Sequence, residues 1–157
     1  MKGNEKLLEK LNDLLSDELT AVNQYMVHAE MEDNWAYTRM ASVVEKRAID
    51  EMKHAEKLIE RILFLEGTPI VSNYKGIFIG ADVEKQVAND WKAEAEAIAS
   101  YNDGIKLACS VDDHGTEQLL KSILKDEEDH IDWIEAQQDQ IKQVGIQNYL
   151  AQQVKEG

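Results

Sequence analysis

Asp50-Glu51-Met52-Lys53-His54 returns later in the chain as Asp126-Glu127-Glu128-Asp129-His130. In each stretch a glutamate and a histidine stand three residues apart. On a helix that spacing places a carboxylate and an imidazole on one face, about one turn apart. One such pair is a weak signal. Two of them, with further carboxylates in step, point to a paired metal site if the chain can bring them together.

The surrounding sequence supplies helices long enough to do so. Residues 5 to about 34 carry the stripe Leu7, Leu11, Leu14, Glu18, Val22, Tyr25 and Ala29 at steps of three and four, the spacing of a core-facing helix. Asn34 is placed to end it. A second helix over about 39–66 has Met40, Val44, Glu51, Leu58, Ile62 and Leu65 on its stripe, closed by Gly67 and Pro69. Residues 67–82 form a linker with β-prone pieces, readable as a short edge strand or an ordered crossover. Fully extended it reaches roughly 50 Å, enough to run the length of a helix of roughly 42 Å. Asp82 is the expected N-cap of a third helix over about 83–111, with Val83, Val87, Glu94, Ile98, Tyr101, Ile105 and Ala108 in line. Asp112-Asp113-His114-Gly115 reads as a turn. A fourth helix follows over about 116–144, with Leu120, Ile123, Glu127, Ile131, Ile134 and Ile141. A short fifth helix over about 147–154 is too short to stand alone and is expected to dock on a neighbour.

The two halves are copies. An offset of 76 residues carries Glu18 to Glu94, Glu51 to Glu127, His54 to His130 and Tyr25 to Tyr101, and it also carries Val44 to Leu120 and Leu58 to Ile134. In each hairpin the lone glutamate lies about as far before the turn as Glu-x-x-His lies after it. All six residues can therefore meet at one level of a bundle. Four carboxylates gathered in a core repel one another, and without cations some must hold protons. Two divalent ions balance four carboxylates, and two imidazoles add neutral nitrogen donors. An oxygen-rich set with one imidazole per ion suits iron or manganese better than structural zinc.

Composition bounds the rest. A chain of 157 residues is one domain with a real core. A formal net charge of −14 disfavours nucleic acid and draws cations. The single cysteine, Cys109, excludes an intramolecular disulfide and a thiolate zinc site; it is read as inert. The N-terminus lacks the apolar core of a signal peptide, and the aliphatic runs are too short to span a bilayer, so a cytoplasmic protein is expected. Tyr25 and Tyr101 read as core residues with satisfied hydroxyls; a ligand-bonding or electron-donating role is the alternative. Trp133 reads as packing. His28 and His114 have no partner at ligand spacing and are read as surface residues. Met52 lies about 100° around the helix from Glu51. Leu15, Leu19 and Met26, with Ile49, Met52 and Ile59, form apolar flanks that suggest a subunit interface. From spacing alone, Met52 packs there.

Long motifs carry a family resemblance over essentially the whole chain. Met1-Lys2-Gly3, Asp17-Glu18-Leu19-Thr20-Ala21, Ile49-Asp50-Glu51-Met52-Lys53-His54-Ala55, Glu60-Arg61-Ile62-Leu63-Phe64-Leu65-Glu66-Gly67, Asp126-Glu127-Glu128-Asp129-His130-Ile131-Asp132-Trp133 and Gly145-Ile146-Gln147-Asn148-Tyr149-Leu150 are similar to those of the bacterioferritins, the haem-containing bacterial ferritins. The resemblance implies an all-α, ferritin-like four-helix bundle with a long crossover between its second and third helices and a short C-terminal fifth helix, assembled into a shell of twenty-four subunits. It implies that Glu51 and Glu127 bridge two irons, that Glu18 and Glu94 bind one each, and that His54 and His130 complete a di-iron centre. It implies Fe(II) oxidation by dioxygen or peroxide, with ferric mineral stored in the shell. It further implies haem b at a two-fold interface with Met52 as axial ligand, and a small ferredoxin as reductant. The chain departs from the family at Lys46, where members can carry a histidine that, with an acid such as Asp50, forms an inner-surface metal position. It departs again at Glu45, which replaces an aromatic often near the haem. Arg47, one turn from Glu51, is placed to form an ion pair beside the site. A rubrerythrin-like oxidoreductase is disfavoured by the single cysteine, a haem shell with a vestigial iron site by the intact ligands, and a DNA-protecting mini-ferritin by its different metal placement.

Overall fold

A computed structural model describes residues 1–154. Five helices follow in order: α1 (Glu5–Asn34), α2 (Thr38–Phe64), α3 (Val83–Ser110), α4 (His114–Val144) and α5 (Ile146–Ala151). The first four form two hairpins, α1–α2 and α3–α4, and α1 also packs along α3. The arrangement is the expected four-helix bundle with a short terminal helix. Among the described residues no helix is long and apolar enough to cross a membrane.

The helix ends have identifiable causes. Asn4, Asp82 and Asp113 each accept a backbone N–H from the first turn they precede, at 2.9–3.1 Å. Asp113 was expected inside a turn; because it caps, α4 starts at His114, two residues earlier than the sequence suggested. At the other ends, α1, α2 and α3 each close with a residue in the left-handed region: Ala36 (φ 66°), Glu66 (φ 61°) and Asp112 (φ 57°). In each case the following N–H reaches back to the helix's last turn, as in Tyr37 N to Glu32 O, Gly67 N to Ile62 O and Asp113 N to Ala108 O, all 2.9 Å. The expected Gly67 is therefore one place beyond the strained position, which Glu66 occupies. Gly145 joins α4 to α5 at φ 82°, ψ 152°, a conformation open essentially to glycine alone.

The expected crossover is ordered and contains no strand. It lies along α1, held by side chains one turn apart. Asn12 accepts from Ile70 N (2.9 Å), Thr20 from Lys75 N (2.8 Å), Gln24 from Phe78 N (3.1 Å) and His28 from Gly80 N (3.0 Å), while Ser16 donates to Asn73 O (3.0 Å). His28 is thus fully buried, not on the surface as its isolation in sequence suggested.

Two apolar clusters fill the bundle. One holds Leu7, Leu11, Leu14, Leu58, Ile62, Tyr101, Leu120 and Ile123; the other holds Tyr25, Met40, Val44, Val83, Val87, Ile134 and Tyr149 from α5. Along every long helix the chain passes from one cluster to the other across a polar level, where Glu18, Glu51, Glu94 and Glu127 are at most 1% exposed. Leu15, expected on an outer flank, is fully buried in the first cluster.

Candidate metal centre

A glutamate at the middle of an apolar stripe has nowhere to go but inward, and each of the four long helices contributes one. The result is two groups of donor atoms, each within 4.8 Å of one another: Glu18, Glu51, His54 and Glu127, and then Glu51, Glu94, Glu127 and His130. Glu51 and Glu127 belong to both. His54 Nδ1 lies 2.9 Å from Glu127, 3.5 Å from Glu18 and 3.7 Å from Glu51. His130 Nδ1 lies 3.1 Å from Glu51, 3.4 Å from Glu94 and 4.0 Å from Glu127. These are close approaches without aligned hydrogen bonds. Both Nδ1 atoms and one or both oxygens of all four glutamates are buried with no hydrogen-bond partner. Unpaired buried polar atoms are costly, and here they converge on two points that a cation would satisfy.

The outward faces of the same groups are fully engaged. His54 Nε2 is 2.8 Å from Asp126 Oδ2, and His130 Nε2 is 3.2 Å from Asp50 Oδ2. An N–H donated to each aspartate fixes the ring and turns Nδ1 inward. The Tyr25 hydroxyl donates to Glu94 at 2.6 Å and the Tyr101 hydroxyl to Glu18 at 2.5 Å. Each tyrosine therefore serves the glutamate of the other hairpin, and every one of these contacts obeys the 76-residue offset. The offset also relates Asp50 to Asp126, a signal for these two residues that is present in the sequence.

Without cations the cluster keeps protons. Burial, reinforced by the neighbouring carboxylates, pushes Glu51 and Glu127 well above the usual range. Burial also opposes charge on Glu94, but close contact with Glu127 and His130, with the positive charges of His130 and Arg47, outweighs it and holds that carboxyl at about 2. His54 is pushed up to about 11: burial works against its charge, and contact with Glu127 and Glu18 overcomes this. Cation binding must displace such protons.

A second buried polar cluster adjoins the centre. His28 accepts from Gly80 N at Nε2, so its Nδ1 carries a proton and donates to Asp90 at 2.8 Å. Gln24 donates to the same Asp90 oxygen at 2.9 Å. Arg47 forms the expected ion pair beside the site, with Asp90 as its partner. It donates to Asp90 at 3.4 Å and lies over the rings of Tyr25 and Trp133, 5.1 Å from each centroid. A cavity of about 150 Å³ between α1, α3 and the crossover reaches Glu18, Glu51, Glu94 and Glu127 from the side, with Asp17 and Lys75 in its wall. Met52 stands apart from the centre and is 45% exposed on the outside of α2.

Residues 8–144 match the ferritin-like domain family. The bacterioferritin of Brucella melitensis is 41% identical over 149 residues, covering 95% of this chain and 92% of the relative. This chain belongs to the bacterioferritins. The bacterioferritin of Streptomyces coelicolor is 38% identical over 154 residues (96% and 90% covered), and bacterioferritin BfrA of Mycobacterium tuberculosis is 36% identical over 152 residues (97% and 96% covered). A bacterioferritin chain accounts for the bundle, the crossover and the presence of a buried carboxylate–histidine cluster together.

Proposed function

We propose that this bacterioferritin is an iron-storage subunit that oxidises Fe(II) at the buried cluster. The observation that carries the reading is the pair of donor groups sharing Glu51 and Glu127. Two Fe(II) ions are the substrates. Glu18 and His54 serve one, Glu94 and His130 the other, and Glu51 and Glu127 face both. Each pair of ions gives up two electrons to dioxygen, which leaves with two protons as hydrogen peroxide, or to peroxide, which leaves with two protons as two waters. Tyr25 and Tyr101 hold the terminal glutamates in place, and Asp50 and Asp126 hold the imidazoles. The side cavity and a net charge of −14 favour cation access.

The storage shell of twenty-four copies, a small ferredoxin reductant and a cytoplasmic location extend this proposal. So does haem b. Met52 is exposed on α2 beside exposed Ile49, and Met26 is exposed on α1; a free thioether on an apolar outer face fits an axial ligand shared with a second copy. Bound haem would supply an electron path to stored ferric iron. Met52→Leu is expected to abolish haem incorporation while leaving Fe(II) oxidation intact. For the centre itself, stopped-flow oxidation of two Fe(II) per chain is expected in the native protein and lost in Glu18→Ala and Glu94→Ala. Unchanged rates in both variants would sink the reading.

A further inference from the structure

By sequence alone a single cysteine gives no thiolate zinc site, Cys109 is inert and His114 is partnerless; the tertiary structure overturns all three expectations. The fold brings them together with Glu117. Cys109 lies in the last turn of α3, and His114 and Glu117 occupy the first turn of α4, three residues apart on one face. Their sulfur, nitrogen and oxygen donor atoms all lie within 4.8 Å of one another. His114 Nδ1 is 3.9 Å from Glu117 Oε1. Cys109 and His114 are exposed and Glu117 is partly so. The group lies roughly 22 Å along α3 from Glu94, at 1.5 Å per residue, so it is separate from the buried centre.

The platform beneath it is firmly built. Asp112 N bonds Cys109 O at 3.1 Å and Asp113 N bonds Ala108 O at 2.9 Å, which locks the end of α3. Asp113 caps α4 through Thr116 and pairs with Arg61 of α2 at 2.9 Å. The backbone carrying all three donors is therefore fixed, and only exposed side chains need to turn.

We propose that Cys109, His114 and Glu117 form a surface site for one thiophilic divalent cation of the zinc class, with solvent in the fourth position. A thiolate, an imidazole and a carboxylate match the donor preferences of such an ion. Tetrahedral binding draws donors to about 3.5 Å apart, a short inward rotation from where they stand. The cation takes the place of the thiol proton, which is released to solvent, and no electrons move. It also displaces Lys121, whose Nζ donates to Glu117 Oε1 at 3.5 Å. Asp112, 3.9 Å from His114 Nε2, adds a neighbouring negative charge.

Cobalt(II) tests the site in the assembled, reduced protein. Cys109 is the only cysteine, so a near-ultraviolet thiolate-to-cobalt charge-transfer band reports this site and no other. The expected result is one saturable band, bleached by zinc, that accounts for one cobalt per chain beyond the cobalt taken up by the buried centre. It is absent in Cys109→Ser, a near-isosteric change at an exposed position. In His114→Ala and in Glu117→Gln the apparent affinity falls by more than roughly tenfold, since even losing an outer partner of a metal ligand costs that much. Absence of the band from the native protein, or an unchanged affinity in either of the last two variants, overturns the three-donor site. Circular dichroism of each variant checks that the fold is intact.

Discussion

Asp50 and Asp126 never touch the point where iron would sit, yet each decides where an imidazole aims. Replacing either with Asn keeps the shape and removes the charge that holds the Nε2–H. Asp126→Asn and Asp50→Asn are each expected to weaken binding at the matching half of the centre by about 10–100-fold, read as the Fe(II) concentration giving half-maximal initial oxidation rate. Equal behaviour of variants and native protein would show that ring packing alone aims Nδ1. Glu32 is a different case. It is fully buried, and neither of its carboxylate oxygens has a hydrogen-bond partner. Burial, then the charge of Asp90, pushes its pKa up to about 8 from 4.5, with Arg47 opposing. The folded chain therefore holds this proton more tightly than the open chain does. The stability it contributes is full below about pH 4.5 and is lost as pH rises to about 8. Glu32→Gln, neutral throughout, is expected to remove a decline on the order of a few kcal/mol across that window, seen as a flatter dependence of thermal midpoint on pH.

The crossover shows how an element without regular structure is held. Its backbone cannot satisfy itself, so α1 supplies partners from Asn12, Ser16, Thr20, Gln24 and His28, one per turn on a single face. Thr20 sits mid-ladder: its hydroxyl donates to Ser16 O at 2.7 Å and accepts from Lys75 N at 2.8 Å. Thr20→Val keeps the volume and leaves Lys75 N without its acceptor. The expected cost is about 1 kcal/mol, with faster amide hydrogen exchange in residues 73–80 and unchanged protection in the helix cores. Protection unchanged in the crossover as well would mean that its apolar contacts, not this ladder, hold it. The ladder was legible in principle, as five polar residues spaced by four. These residues lie off the hydrophobic stripe, so hydrophobic periodicity alone does not reveal it.

At the scale of the whole molecule the polar level between two apolar clusters is a strain that bound cations would relieve. Glu51 and Glu127 hold protons because burial and mutual repulsion favour the neutral form, and His54, at about 11, holds one as well. Divalent cations compete with these protons. Binding near neutral pH is therefore expected to release protons, and apparent affinity is expected to fall as pH drops from 7 toward 5. Calorimetry in buffers of different ionisation enthalpy measures the release directly, and a heat independent of buffer would contradict it. Stripping bound cations should lower the unfolding midpoint, since a ligand bound only by the folded state adds about 2.7 kcal/mol at a hundredfold excess over Kd.

The sequence by itself determined the helices, the two-hairpin repeat and the six inward-facing carboxylate and imidazole side chains. These follow from local periodicity and from the cost of burying a carboxylate, and both can be read one residue at a time. Tertiary structure decided what depends on distance between segments. It buried His28 against Asp90 and Gly80, drew Arg47 to Asp90, and placed Leu15 in the core. It also set Asp126 behind His54 and Asp50 behind His130, and carried Cys109 to His114 and Glu117 across a turn. Polar side chains choose partners by geometry in three dimensions. Spacing along one helix fixes the face they occupy, and only the packing of a second helix fixes what waits there.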